Sequence, residues 1–156
     1  MFRVTRSCEV AAEYYEKGNR VPVMIGLLIV THCDLGRELL KAAEFILGRI
    51  EAAETIPITQ NTVADKLHGL IRERVDVLDK GQGVLILTDM FGGTPSNLSL
   101  SFLKKGKVEV LTGVNLPMII AIVQSRVSLK LDEVAENARE AGKAGISLAS
   151  KLLESP

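Results

Sequence analysis

The sequence predicts an α/β fold with a doubly wound, mostly parallel sheet of four strands and helices on both faces. From Met24 onward, short β-branched apolar runs alternate with longer segments of helical period, which is typical of βαβ units. Two of these runs, residues 25–30 and 84–88, are apolar enough to be buried on both sides, as central parallel strands are. The 156 residues suit one compact domain.

Two further segments complete the predicted sheet. Residues 108–111 are apolar and β-branched enough to form a strand. Residues 55–59 are a weaker strand, because Pro57 cannot donate a hydrogen bond to a neighbour, and we therefore place that strand at an edge.

Apolar residues at helical spacing predict the first two helices. Each set forms one stripe, which is predicted to lie on the sheet. The two stripes are Leu39, Ala43, Ile46, Leu47 and Ile50, and Val63, Leu67, Leu70 and Ile71.

Three more segments carry helix signals. The third helix is predicted to begin at Thr94-Pro95, where the hydroxyl can cap the helix and the proline takes the first helical position. A fourth is predicted over about residues 116–124 and a fifth over about 131–141. Residues 142–153 stay open on pattern alone: positions 145–149 alternate like a strand, while the flanking alanines and lysines favour a helix.

Composition narrows the function classes. The 19 lysines and arginines balance the 19 aspartates and glutamates, so no field of one sign favours nucleic acid or an anionic membrane. The two cysteines, Cys8 and Cys33, suggest neither a metal knuckle nor a disulfide framework, which suits a cytoplasmic protein. The apolar runs are far shorter than the ~18 residues of a membrane span.

Residues 1–23 are set apart from the domain predicted over residues 24–153. They lack the apolar core of a secretory signal and precede an internal methionine, Met24. Two readings stay open. Either the native start is Met24 and the upstream stretch is a leader or flexible extension, or residues 9–17 form a short surface helix.

Functional side chains are predicted to gather at one edge of the sheet. Open doubly wound sheets bind ligands beyond the carboxyl ends of their strands. His32 follows the first strand, and Asp89 follows the third in a loop that ends with Gly92, Gly93 and Thr94 before a helix. Residues 112–117 follow the fourth strand.

These residue types suit phosphoryl chemistry on a histidine. A carboxylate that accepts a hydrogen bond from one imidazole nitrogen directs the other nitrogen outward, and Asp89 is the candidate partner of His32. Such a carboxylate also stabilises positive charge on the ring during nucleophilic attack. Gly92, Gly93 and Thr94 offer unhindered backbone N–H groups to a phosphate.

Other chemistries fit less well. The sequence contains neither a complete dinucleotide fingerprint nor a P-loop, and its two histidines and two unrelated cysteines make a poor zinc site, so we expect no metal and no cofactor. His68 is expected to be a partly exposed structural residue. Cys33 can be read as a covalent or redox nucleophile, or as a small side chain at a strand end.

At these residues the chain resembles the mannose-type enzyme IIA domain of the bacterial phosphotransferase system, over about residues 24–153. The likeness rests on three signatures in order. They are Thr31-His32 at the end of a strand, residues 88–95 around Asp89 and the glycine pair, and residues 113–118.

The resemblance implies that His32 accepts a phosphoryl group from the phosphocarrier protein HPr. The group then passes to a histidine on a separate IIB protein, which phosphorylates an incoming sugar; the membrane is contacted only through a transporter complex. The resemblance also implies that Asp89 hydrogen-bonds the active imidazole and that Gly93 and Thr94 contact the phosphoryl group. It further implies a homodimer, in which residues 145–149 add an antiparallel strand to the partner's sheet.

The sequence departs from the family's pattern at one position, and three alternative functions remain open. A small residue usually follows the active histidine, whereas Cys33 and Asp34 follow here, and the Asp34 carboxylate would repel phosphate unless it caps the next helix. The rivals are a regulatory phosphohistidine module, a phosphotransfer subunit of a dihydroxyacetone kinase, and a non-catalytic anion-binding module. The sequence does not indicate which sugar is transported, because a IIA domain does not contact the sugar.

Overall fold

A computed structural model describes residues 23–153 as a parallel sheet with helices on both faces. The strands within this range are β1 (Gly26–His32), β2 (Ala53–Ile58), β3 (Val84–Thr88) and β4 (Val108–Thr112). All are parallel, in the order β2-β1-β3-β4. The predicted fold class is confirmed, and the strand that contains Pro57 lies at an edge as expected.

The helices cover the two faces unequally. Within the described residues they are α1 (Leu35–Leu47), α2 (Ala64–Leu78), α3 (Thr94–Leu100), α4 (Leu116–Ser125), α5 (Leu131–Ala144) and α6 (Ala149–Leu153). Helices α1, α4 and α5 pack on one face of the sheet, and α2 and α3 pack on the other. Across residues 23–153, each helix is too short or too polar to cross a bilayer.

The central strands contribute to both cores by simple alternation. Successive side chains of a strand point to opposite faces, so β1 and β3 each supply both layers. Towards α1, α4 and α5 point Ile25, Leu27, Ile29, Leu85 and Leu87; towards α2 and α3 point Leu28, Val30, Val84 and Ile86. All nine are fully buried, as the unbroken apolar runs predicted.

The predicted stripe of α1 is partly wrong. Ala43 is buried and Leu39 packs against the core, but Ile46 is 54% exposed. The helix ends before Ile50, which is nevertheless buried in the same core. The buried line of α1 instead passes through Gly36 and Ala43, whose small size lets the helix approach β1 closely. Ile46 lies three residues beyond Ala43 and is therefore rotated about 60° from that line.

The predicted stripe of α2 needs the same kind of correction. Leu67 and Ile71 are buried, whereas Leu70 is 37% exposed. Val63 is also exposed, because it is the residue before the helix and not part of it. The buried line continues through Val75 and Leu78.

The start of α3 differs from the prediction by one residue. Gly93 still has an extended backbone and occupies the N-cap position, so Thr94 is already helical and Pro95 follows within the first turn. The Thr94 hydroxyl therefore lies one position past the cap that we expected it to form. Helices α4 and α5 agree with their predictions, and Leu131, Val134, Ala135 and Ala138 are buried on one side of α5.

The predicted antiparallel strand at the C-terminal end is not confirmed. Within the described chain, Gly145 forms a turn, residues 146–148 have no regular structure, and α6 follows. The N–H groups of Gly145 and Ile146 donate to the carbonyl oxygens of Ala141 and Lys143, so the start of this segment continues the last turn of α5. The two readings of the N-terminal extension concern residues 1–22, which lie outside the described residues.

Gly26→Ala should destabilise the fold. A Cβ at Gly26 would lie 2.8 Å from Leu78 Cβ and 2.9 Å from the Leu78 carbonyl oxygen, so β1 or the end of α2 must shift. We expect a loss of about 1–3 kcal/mol in the free energy of unfolding, measured by urea denaturation.

The matched control is Gly69→Ala. Gly69 lies within α2, and nothing would approach its Cβ within 4 Å. Alanine should therefore stabilise the helix by about 0.5–1 kcal/mol. Equal urea midpoints for Gly26→Ala and the unchanged chain would contradict the close packing of β1 on α2.

Candidate functional site

His32 and Asp89 meet at the carboxyl edge of the sheet. Strands β1 and β3 are neighbours, with Val30 paired to Thr88, so the residues that follow lie side by side. His32 Nδ1 is 2.8 Å from Asp89 Oδ2, and the His32 backbone N–H donates to the same oxygen at 3.0 Å. The carboxylate therefore holds both the ring and the main chain of His32.

Asp89 is positioned to stay ionised. Its side chain is 14% exposed, and burial alone would raise its pKa. Hydrogen bonds from the backbone and ring of His32, attraction to that ring, and a hydrogen bond from the Met90 N–H outweigh burial, so the pKa lies below the ordinary value of 3.8. The stability this group contributes is complete above that value and is lost as the pH falls through the lowered pKa.

The ionised carboxylate decides the tautomer of His32. A carboxylate without a proton can only accept hydrogen bonds, so the proton of neutral imidazole resides on Nδ1. Nε2 then carries the free lone pair. The His32 side chain is 46% exposed, and a nitrogen with a free lone pair has the chemistry of a nucleophile.

The glycine loop passes directly beside the imidazole. A Cβ built on Gly93 would lie 3.2 Å from His32 Cε1, closer than most side-chain contacts, so a hydrogen atom suits this position. Gly92 has a φ of +82°, in the left-handed region that favours glycine. The first N–H groups of α3 lack partners within the helix, and they begin at Thr94 beside the ring. Gly93 therefore lies next to the His32 ring, with Gly92 and Thr94 as its chain neighbours.

The third sequence signature has a mainly structural role. Asn115 Oδ1 accepts from the Met118 N–H at 3.1 Å and caps α4, while Asn115 Nδ2 donates to the Gly142 carbonyl oxygen at 3.1 Å. The Val114 N–H donates to the Thr88 carbonyl oxygen, next to Asp89. This loop thus hydrogen-bonds the end of β3 next to Asp89 and links the start of α4 to the end of α5.

Thr31 has a role in the site that the sequence did not reveal. It is 1% exposed, and its hydroxyl accepts from the Gly36 N–H at 2.8 Å, which joins the end of β1 to the first turn of α1. A Cβ at Gly36 would lie 2.8 Å from Ile29 Cγ2 and 3.1 Å from Thr31 Oγ1. The spacing of a hydroxyl residue and a glycine five positions later is the only sequence signal of this contact.

Asp34 and Cys33 occupy the turn between His32 and α1. Asp34 is the N-cap residue of α1, but its carboxylate pairs with Arg37 Nη1 at 3.1 Å and makes no cap hydrogen bond. The Thr31 hydroxyl binds the first-turn N–H of Gly36 instead. The thiol of Cys33 is exposed, and its backbone has a φ of +49°.

His68 lies on α2 and not in the loops that follow β1 and β3. Its ring stacks on Phe102 with centroids 4.5 Å apart and planes at 29°. The side chain is half-buried, which agrees with the structural role expected for it.

Comparisons with known proteins point to one family. A family model described as the PTS system fructose IIA component matches residues 26–139. The chain is 34% identical over 133 residues to the mannose-specific EIIAB component of Escherichia coli, covering 83% of this chain but only 41% of that protein. It is 26% identical over 136 residues to the fructose-specific EIIA component of Bacillus subtilis, covering 84% of this chain and 90% of that protein.

Solved structures agree with this assignment. The phosphotransferase system component EIIA from Streptococcus agalactiae superposes with a TM-score of 0.75 at 27% identity, covering 82% of this chain and 99% of that one. The PTS IIA protein associated with the fucose utilization operon of Streptococcus pneumoniae gives 0.71 at 28% identity, covering 83% and 96%. The chain therefore belongs to the mannose- and fructose-type family of PTS IIA components.

Proposed function

We propose that this chain carries a phosphoryl group on His32, accepting it from phospho-HPr and passing it to a IIB protein of a sugar phosphotransferase system. One observation carries the proposal: the half-buried, ionised Asp89 holds Nδ1 at 2.8 Å and leaves Nε2 with a free lone pair on an imidazole that is 46% exposed. The relatives are named for different sugars, mannose and fructose among them, so the proposal covers the reaction and not the sugar.

The transfer step follows from this geometry. The Nε2 lone pair attacks phosphorus, the bond between phosphorus and the donor histidine of HPr breaks, and its electron pair returns to that donor. The proton on Nδ1 stays in its hydrogen bond to Asp89, which stabilises the positive charge that attack places on the ring. Transfer to the IIB histidine is the same step in reverse, with Nε2 as the leaving atom.

We propose that the glycine loop, residues 92–94, binds the phosphoryl group. Gly93 lies beside His32 Cε1, so a phosphoryl group on the adjacent Nε2 comes close to residues 92–94. The backbone N–H groups at the start of α3 and the Thr94 hydroxyl can donate hydrogen bonds to phosphoryl oxygens. We therefore assign Gly92, Gly93 and Thr94 to phosphate binding, with His32 and Asp89 as the catalytic residues.

The chain should take an acid-labile, base-stable label when it is incubated with radioactive phosphoenolpyruvate, enzyme I and HPr. His32→Ala should take none, because it lacks the nucleophile. His68→Ala is the matched control and should be labelled as the unchanged chain is, since His68 stacks on Phe102 away from the site. An unlabelled chain beside a labelled reference IIA would instead favour the non-catalytic anion-binding module.

Asp89→Asn should fold but accept the phosphoryl group about 10²-fold more slowly, because it keeps the shape of the side chain and removes the charge that stabilises the ring. Rapid-quench measurement of label transfer from phospho-HPr tests this. Asp76→Asn, the same chemical change on an exposed residue of α2, should leave the rate unchanged. A rate for Asp89→Asn equal to that of the unchanged chain would rule out Asp89 as the orienting group.

We also propose a homodimer in which residues 145–149 pair with the edge of a second copy. Strand β4 is one edge of the sheet, and the other edge, β2, contains Pro57, which cannot donate to a ladder. Ile146 and Leu148 are 79% and 62% exposed in the single chain. Pairing with β4 of a second copy would bury these side chains and the open strand edge.

Light scattering after size exclusion should give about twice the chain mass of 16.9 kDa. Ile146→Asp combined with Leu148→Asp should give the single-chain mass, because charges in the pairing segment oppose its burial. Val77→Asp, which adds a charge at an exposed position of α2, should remain dimeric. A single-chain mass for the unchanged protein at micromolar concentration would exclude the dimer.

A further inference from the structure

Four exposed lysines lie together at the amino edge of the sheet, where the strands begin. Three belong to the connection between α3 and β4, and the fourth belongs to the loop between α2 and β3. They are Lys80, Lys104, Lys105 and Lys107. The Val84 N–H donates to the Lys107 carbonyl oxygen at 2.8 Å, so the two loops are in contact. The four side chains therefore belong to one surface, which we call the lysine surface.

The lysine surface lacks the ion pairs that other lysines make. Lys41 pairs with Glu38 on α1, and Lys143 pairs with Glu140 on α5. Within residues 23–153, none of the four lysines of the lysine surface pairs with a carboxylate. Positive charge is thus concentrated at this edge, although the chain as a whole has no net charge.

The carboxylates that are nearest in sequence are engaged by backbone N–H groups. Asp79 Oδ1 accepts from the Gly81 and Gly83 N–H groups at 2.8 and 3.0 Å. Glu109 Oε1 accepts from the Val110 N–H at 3.0 Å. Two carboxylates therefore stand against four ammonium groups, and the local charge is positive.

Two exposed leucines border the lysines. The Leu103 N–H donates to the Leu100 carbonyl oxygen at 3.2 Å, and this three-residue spacing puts the two side chains on one side of the turn. Leu100 is 36% exposed and Leu103 is 49% exposed. Lys104 and Lys105 follow directly along the chain. Apolar side chains and cations therefore lie next to each other at this edge.

The turn that carries these side chains is held in place from both ends. Phe102 packs against the core and stacks on His68. Lys104 and Val108 exchange two backbone hydrogen bonds, of 3.0 and 2.8 Å. The backbone is already ordered, so binding at this surface costs little conformational entropy.

An anionic phospholipid bilayer matches both properties of this surface. Its headgroups attract lysine side chains, and the boundary of its acyl region accepts leucine side chains. Single-stranded nucleic acid would favour exposed aromatic rings on which bases can stack. The aromatic ring of this turn, Phe102, is half-buried against His68 instead.

The position of His32 is compatible with a bilayer at this edge. Gly26, Val84 and Val108 are aligned in the sheet and mark its amino edge. His32 ends β1 at the opposite edge, about 20 Å away along the strand. A bilayer on the lysine surface would therefore leave the imidazole open to proteins in solution.

We propose that the lysine surface, with Leu100 and Leu103, binds the anionic surface of a phospholipid bilayer reversibly. The proposal goes beyond the transfer of a phosphoryl group and does not depend on it. The zero net charge of the chain does not oppose this binding, because charges more than about 10 Å from the headgroups are largely screened at physiological salt.

Co-sedimentation with sucrose-loaded vesicles tests the proposal. The unchanged chain should bind vesicles that contain phosphatidylserine and phosphatidylcholine, and should not bind vesicles of phosphatidylcholine alone. Because headgroup attraction is screened by salt, the bound fraction should fall steeply as sodium chloride is raised to about 0.5 M.

Two variants separate the contributions of charge and apolar area. Lys104→Gln combined with Lys105→Gln should weaken vesicle binding about 25-fold, since each lysine near an anionic surface contributes about fivefold. Leu103→Ala should weaken it about fivefold, because part of a leucine side chain no longer enters the bilayer.

Lys41→Gln combined with Lys66→Gln is the matched control. This pair makes the same change in net charge at exposed positions of α1 and α2. Lys66 lies at the start of α2, about 18 Å along that helix from Leu78 at the amino edge. The control should bind the vesicles as the unchanged chain does.

Four outcomes would overturn the proposal. The first is equal binding of the unchanged chain to both kinds of vesicle, or binding to neither. The second is unchanged vesicle binding when Lys104 and Lys105 are replaced, and the third is an equal loss in the control pair, which would assign the effect to net charge. The fourth is tighter binding to a single-stranded oligonucleotide than to the vesicles at the same salt, with no effect of Leu103→Ala on either, which would favour nucleic acid.

Discussion

The hydrogen bonds between Asp89 and His32 are the contacts on which the rest of the site depends. They need β1 and β3 to be neighbours in the sheet, and they need the carboxylate to be ionised although it is mostly buried. Three N–H groups satisfy its two oxygens: the backbone and ring of His32, and the backbone of Met90. Because Asp89 accepts the hydrogen bond from Nδ1 on the inner side of the ring, the free lone pair is on Nε2, at the opposite side of the imidazole.

Small residues keep that geometry in place. Gly36 lets the first turn of α1 sit against Ile29 and Thr31, and Gly93 lets the start of α3 pass beside the His32 ring. Neither contact is a hydrophobic stripe or a charged motif. A Cβ at either glycine would come too close to these neighbours. The two glycines therefore restrict the conformation of the turn after β1 and of the loop after β3. The imidazole is therefore held between two loops that are themselves packed on the sheet.

Structural features that depend on local sequence pattern could be predicted. Features that depend on contacts without such a pattern could not. Strands β1 and β3 were predictable because burial on both faces leaves unbroken apolar runs. The buried side of α1 was predicted only in part, because Ala43 belongs to the predicted stripe but Gly36, which has no hydrophobic signal of its own, does not. The pairing of Asp34 with Arg37 and the hydrogen bond from the Gly36 N–H to the Thr31 hydroxyl have no pattern of their own in the sequence.

The loop after β3 is polar on the side of the ring and apolar on its outer side. Behind the ring, Asp89 is polar, half-buried and satisfied by N–H groups, which suits the control of charge and tautomer. In front of it, Met90 and Phe91 are apolar, exposed and uninvolved in holding the imidazole. The backbone N–H of Met90 supports Asp89 while its side chain is 56% exposed, so the loop holds the carboxylate through its backbone. Since backbone contacts survive side-chain substitution, the side chain at this position can change while the hydrogen bond to Asp89 is retained.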